Sequence, residues 1–202
     1  MDSLSLFLEV FSLKVIYIRP SNVKGYLRIG ITDGGDDTSL TVSEREYAKA
    51  GSLLSGDVLD DEMLHTLKLS DERYRAKSKA LRVLSYGDNS EGMLMRKLRI
   101  AGISQSVANE VVCEMVSRGY INSHRQLEKL ISGEVNVKNS GPMKLIPKLI
   151  SKGYKKSEIV AVIDDLISRG EIDFDAARER LLQGVAEDEV KKILYKNGYT
   201  VC

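Results

Sequence analysis

The sequence predicts a mainly α protein built of tandem three-helix repeats, preceded by a small β-hairpin or β-sheet region with its own helices. Three observations carry this. Only three prolines occur in 202 residues, and the abundance of Leu, Lys, Glu and Ile favours helix. The first 43 residues hold β-branched and alternating stretches broken by glycine turns. After Ser90 the chain matches itself at an offset of 51 residues, in about a dozen positions.

The elements follow in order. "KVIYIRP", "GYLRIGIT" and "TSLTVS" read as strands, with "DGGDD" as the turn. Gly34 and Gly35 are expected to supply its positive-φ positions, and the short acidic run lacks the ladder and closing Glu of a calcium loop. Ser43 opens a helix with a Ser-x-x-Glu capping box that ends at Gly51. "LDDEMLHTLKLSDERYRAKSKALRVLSYG" is helical, with a break expected near Ser70 and a face through Tyr74, Ser78, Leu81 and Leu84.

Three short helices come next, each with a start and a stop signal. The first runs from Ser90 to Gly102 with Leu94, Leu98 and Ala101 on one face. The second runs from Ser106 to Gly119 with Ala108, Val111, Val112, Met115 and Val116 as its stripe. The third runs from Ser123 to Gly133. The set recurs: Lys97-Leu98 align with Lys148-Leu149, Gly102 with Gly153, Ser106 with Ser157, Met115-Val116 with Leu166-Ile167, and Ser117-Arg118-Gly119 with Ser168-Arg169-Gly170. Each Ser-Arg-Gly is a helix stop, with Arg near the carbonyl end and Gly in the left-handed cap. Pro142 suits a helix start, whereas Pro147 should kink or break the same helix. A third unit begins at "DEVKKILYKNGY", where Leu194, Gly198 and Tyr199 mimic Leu149, Gly153 and Tyr154. The expected divisions are 1–68, 69–137, 138–184 and 185–202.

Charge is patterned. The net charge is +1 overall, but it is −4 over residues 1–68, +3 over 69–137, +6 over 138–156 and −4 over 157–202. A basic middle between acidic ends suits a polyanion on one face and a protein on another, or plain solvated helix faces. Lys144, Lys148 and Lys152 recur every fourth residue, Lys155 and Lys156 extend the run, and Arg96, Lys97 and Arg99 occupy the matching region of the first repeat. These eight are the candidate nucleic-acid contacts. Lysines without interleaved aromatics suit phosphates rather than base edges.

Other chemistry is not suggested. His65 and His124 lack a sequence-evident ligand or nucleophile partner, no Walker loop occurs, and the two cysteines form no zinc or disulfide pattern. Cys113 falls on a predicted apolar helix face and Cys202 is the last residue. The N-terminal "MDSLSLFLEVFSLKVIYI" is apolar, yet Asp2 stands where a basic leader region belongs, and Glu9 and Lys14 interrupt the run. A soluble cytoplasmic protein without cofactor, metal or membrane partner is the expectation.

The chain resembles the RecX family, bacterial regulators of the RecA recombinase. The motifs that carry the resemblance are Ala80, Leu84 and Ser85; Ser90 and Glu91 before a Leu-rich helix; the Gly119–Asn122 turn; and Gly141, Pro142, Leu149, Lys152 and Gly153. The β-rich start looks like the extension of Gram-positive relatives, and the likeness covers roughly residues 15–200. Their order along the chain is more specific than any one of them. Departures are Ser123 and His124 after the turn, "VNVKNS" in place of an Arg-rich stretch, and a third repeat cut after its first helix. The resemblance implies an elongated, curved stack of repeats and a non-enzyme, and a monomer is the expectation. It would lie along the groove of the RecA–single-stranded-DNA filament and oppose recombinase activity in DNA repair and recombination. The acidic charge of Asp164, Asp165, Glu171, Asp173 and Asp175 suits basic recombinase loops or, more simply, a solvated surface. Three short helices also fit a helix-turn-helix transcription regulator.

Overall fold

The structure, a computed structural model, describes residues 13–200. The N-terminal stretch through residue 12 and Cys202 lie outside them. Three strands form one antiparallel sheet in the order β1 (Lys14–Pro20), β2 (Tyr26–Thr32) and β3 (Asp37–Ser43). Ile18, Ile29 and Leu40 align across it, as do Tyr17, Gly30 and Ser39 on the other face. In the β2–β3 turn only Gly34 takes positive φ. Gly35 does not need it, because the Asp33 carboxylate accepts from Gly35 N and Asp36 N and holds the turn. Those two bonds hold the Asp33 carboxyl below its usual range.

Ser43 caps α1 (Glu44–Lys49) by accepting from Glu46 N at 3.3 Å. The following α2 (Asp61–Ser85) is one unbroken helix, so the break expected at Ser70 is absent. Ser70 is buried at 3% exposure and its hydroxyl accepts from Ser43 N at 3.0 Å. Asp71 accepts from Thr41 N at 2.9 Å. Both polar residues thus satisfy the outer edge of β3, which is why they are inside a helix and not at its end. The sheet core collects Val15, Ile29, Ile31, Leu40, Val42 and Leu67. Farther along α2 the buried residues are Ala76 and Ala80, while Ser78 and Leu81 are exposed. The expected face is therefore packed only in part: Tyr74 lies against Tyr26, with ring centroids 5.0 Å apart, and Leu84 is half-buried.

The chain divides into two compact units between Lys79 and Ala80. The second unit holds α3 (Glu91–Ile100), α4 (Gln105–Ser117), α5 (Ser123–Ser132), α6 (Pro142–Ser151), α7 (Lys156–Ser168), α8 (Phe174–Leu182) and α9 (Glu187–Asn197). The starts and ends of α3 and α4 map onto those of α6 and α7 at the 51-residue offset, as does the start of α5 onto α8. The architecture is mainly helical, with tandem three-helix repeats after a three-stranded sheet. Leu127, Ile131, Leu145, Leu149, Ile159, Val162, Leu166 and Ala177 share one core, so the first repeat's third helix packs with the second repeat.

Several local expectations change. The N-caps of α4 and α7 are Ser104 and Lys155, each two residues before the serine expected. Ala101 and Val116 are exposed, as is Cys113, one helical step outside the Val111–Val112–Met115 stripe. Gly133 does not stop α5. It is helical (φ −65°), and the chain continues as a π-helical turn over Gly133–Val137. Pro147 does not break α6. It is exposed, as is Met143, whose carbonyl loses its i+4 donor.

Candidate functional site

The site is built where the two repeats join. Ser90 caps α3 by accepting from Met93 N at 3.1 Å, and its hydroxyl donates to the Lys152 carbonyl at the end of α6, 2.5 Å away. Gly153 follows in the left-handed conformation at φ +85°. A side chain at Gly92 would meet the Gly153 carbonyl at 2.5 Å, so the two backbones touch. The same junction recurs one repeat on: Gly141 N donates to Asn197 O at 2.7 Å, and Gly198 lies against Lys144. Gly141 is 51 residues after Ser90, and Gly198 is 45 after Gly153.

Beside the first junction lies an open cleft of about 590 Å³. Asn89, Met93 and Lys97 form one wall, Gln126, Lys129 and Leu130 of α5 another, and Lys138, Lys152 and Tyr154 complete it. Tyr154 is buried and donates to Gln126 Oε1 at 2.9 Å. Burial, with Asp88 nearby, pushes its phenol up, so it keeps its proton and its donor role at neutral pH. Four lysines (97, 129, 138 and 152) face two acids, Asp88 and Glu134, in this lining. The surplus is cationic.

Glu134 organises the cleft floor. It is 6% exposed and takes Lys138 at 2.7 Å, Lys148 at 2.8 Å and the Ser140 hydroxyl at 3.3 Å. Burial opposes its charge, but the hydrogen bonds and charges of Lys138 and Lys148 prevail and hold the carboxyl down at about 2. The π-helical turn is what carries Glu134 inward, in keeping with the association of such turns with functional sites.

The structure distributes the eight predicted contacts unevenly. Lys97 and Lys152 line the cleft; Lys97 Nζ also donates to Asn89 Oδ1 at 2.6 Å. Lys148 is half-buried and engaged by Glu134. Lys144 reaches Asn197 Oδ1 at 3.3 Å, at the second junction. Arg99 is exposed and donates to the Ile103 carbonyl at 2.7 Å. Lys155 pairs with Glu158 at 3.4 Å, while Arg96 and Lys156 are exposed. The lysines of the second repeat therefore differ in their partners. Sequence reasoning missed Lys129 and Lys138. Lys138 had a signal, the i,i+4 pair with Glu134, hidden by ending the helix at Gly133. The paired Ser-Arg-Gly arginines hold equivalent local bonds, Arg118 to Glu114 at 2.7 Å and Arg169 to Asp165 at 3.0 Å.

No helix among the described residues is long and apolar enough to cross a membrane. No family model matches the chain. It is 27% identical over 164 residues to the regulatory protein RecX of Clostridioides difficile, covering 80% of this chain and 76% of that protein. It is 26% identical over 132 residues to the regulatory protein RecX of Leuconostoc mesenteroides, and 24% over 135 residues to that of Oceanobacillus iheyensis. The chain spans about half the length of these last two, 49% and 48%. Among solved structures, a crystal structure of regulatory protein RecX superposes with a TM-score of 0.64 at 18% identity, covering 93% of this chain and 95% of that one. RecX from Lactobacillus salivarius gives a TM-score of 0.54 at 18% identity, covering 64% and 90%. These two likenesses establish the helical-repeat fold.

Proposed function

We propose that this chain, assigned to the RecX family by its relatives, is a cytoplasmic, monomeric regulator that binds the groove of the RecA–single-stranded-DNA filament and inhibits the recombinase. The regulatory role is the common description of the relatives, which are named regulatory proteins and not enzymes. The filament, its DNA and the direction of the effect are our own reading.

The observation that carries it is the repeat junction, where Lys97 of one repeat and Lys152 of the next line one cleft. Successive repeats that bring lysines to shared clefts suit an extended polyanion, since phosphates recur along a strand and point charges need no base recognition. Arg96, Arg99, Lys144, Lys155 and Lys156 are further contacts in this reading. Lys148 serves by holding Glu134.

The test is RecA-dependent ATP hydrolysis and strand exchange with the chain added at substoichiometric amounts. Loss of activity is expected. Undiminished activity at equimolar protein, with no binding to the filament, would overturn the proposal.

A further inference from the structure

Outside the lysine cleft, His124, Glu128 and Asp165 converge. His124 and Glu128 occupy successive turns of α5, and Asp165 projects from α7 of the next repeat. One ligand atom of each lies within 4.8 Å of the others. His124 Nδ1 is 3.7 Å from Glu128 Oε2.

Arg169 is the other member. Its guanidinium takes Glu128 Oε1 at 2.5 Å, Asp165 Oδ2 at 3.0 Å and Glu171 Oε1 at 2.9 Å. Arg169 takes Oε1 of Glu128, and the other oxygen, Oε2, is the one that faces His124. Three carboxylates around one guanidinium leave two negative charges uncompensated. Arg169 therefore orients the acids without neutralising them, the part outer groups play around metal ligands.

We propose that His124, Glu128 and Asp165 bind one divalent transition-metal cation of the Zn²⁺ type. Charge supports it: a dication brings the group of three acids and Arg169 to zero. Donor chemistry supports it too, because an imidazole beside two carboxylate oxygens selects zinc-like ions over Mg²⁺ and Ca²⁺, which favour all-oxygen sites. A tetrahedral ion with bonds of about 2.1 Å places its ligands about 3.4 Å apart. The His124 side chain is 61% exposed, so modest rotation closes the remaining gap. Water takes the fourth position. The ion would tie α5 of the first repeat to α7 of the second and act as a clamp across the repeats.

The experiment is isothermal titration of the full chain with ZnCl₂, alongside thermal unfolding with and without the metal. The background carries His65→Gln, Cys113→Ser and Cys202→Ser, which removes the other imidazole and both thiols. Expected are one site per chain in the micromolar range, a higher Tm with Zn²⁺ that EDTA reverses, and no response to Mg²⁺. His124→Gln and Asp165→Asn should each weaken binding at least about tenfold. His124→Gln alters an exposed side chain, and circular dichroism checks that the fold is retained. No saturable binding up to about 100 µM Zn²⁺, or unchanged affinity in His124→Gln, would sink the proposal.

Discussion

The Ser90 hydroxyl joins two repeats: it accepts from Met93 N within its own helix and donates to the Lys152 carbonyl 62 residues later. One side chain thus starts α3 and receives the end of α6, leaving neither backbone group unsatisfied at a buried junction. Ser90→Ala removes both bonds at a position 3% exposed. Urea unfolding should show a loss of about 1–3 kcal/mol, from the cap and from a buried unpaired carbonyl. A loss within error of zero would mean that the junction does not depend on this hydroxyl.

Gly153 and Gly119 both follow a helix in the left-handed region, at φ +85° and +75°, but only Gly153 is enclosed. An added side chain there would meet Met93 N and Ser90 Oγ, each at 2.7 Å, while at Gly119 it would meet open space. Gly119→Ala should cost about 1–2 kcal/mol, the backbone penalty alone. Gly153→Ala should cost clearly more, because α6 must back away from α3. Equal midpoints for the two variants in denaturant would contradict the close contact.

Glu134 makes stability acid-sensitive in a defined window. Its carboxyl is lowered from an ordinary 4.5 to about 2 in the folded chain. The folded state then binds fewer protons than the unfolded state, so the stabilisation is present above about pH 4.5 and is lost as pH falls toward 2. The contribution is up to about 3 kcal/mol. In Glu134→Gln, unfolding free energy measured from pH 6 to 2 should lack this component and be lower at neutral pH, where Lys138 and Lys148 lose their partner. A wild-type slope in that variant would assign the acid sensitivity elsewhere.

Lysines of similar sequence context should separate by experiment. Lys97, Lys129 and Lys152 line the cleft, whereas Lys148 is held by the buried Glu134. Replacing the first three by Gln should weaken binding to single-stranded DNA, lower the salt slope by about 2 and leave Tm nearly unchanged. Lys148→Gln should lower Tm by several degrees. Fluorescence anisotropy at three salt concentrations, with parallel melting curves, distinguishes the two classes. An unchanged salt slope in the triple variant would leave those lysines as solvent-facing charge.

The helices and strands were legible because their signals are local. Ser43 and Ser90 cap the helices expected of them, and the 51-residue offset maps α3 and α4 onto α6 and α7. Boundaries moved by two residues at Ser104, which itself caps α4 by accepting from Val107 N, and at Lys155, which precedes α7 in extended conformation. Pro147 misled because its cost depends on its surroundings, and it lies exposed on an intact α6, which spacing does not reveal. The candidate site was legible only in composition. A lysine-rich stretch is plain in the sequence, but which lysines face a cleft and which neutralise an acid is not.

The sequence by itself determined that this protein is a helical-repeat chain after a small sheet, since caps, glycine stops and a repeat period depend on neighbours within a few residues. Tertiary structure alone decided that Gly133 continues as a π-helical turn, that Glu134 is buried beside Lys148 fourteen positions away, and that Arg169 reaches Glu128 forty-one positions back. Those outcomes rest on hydrogen bonds and ion pairs formed only once the repeats have packed. Burial and partner distance, which fix the worth of a charge, do not exist until the chain has folded.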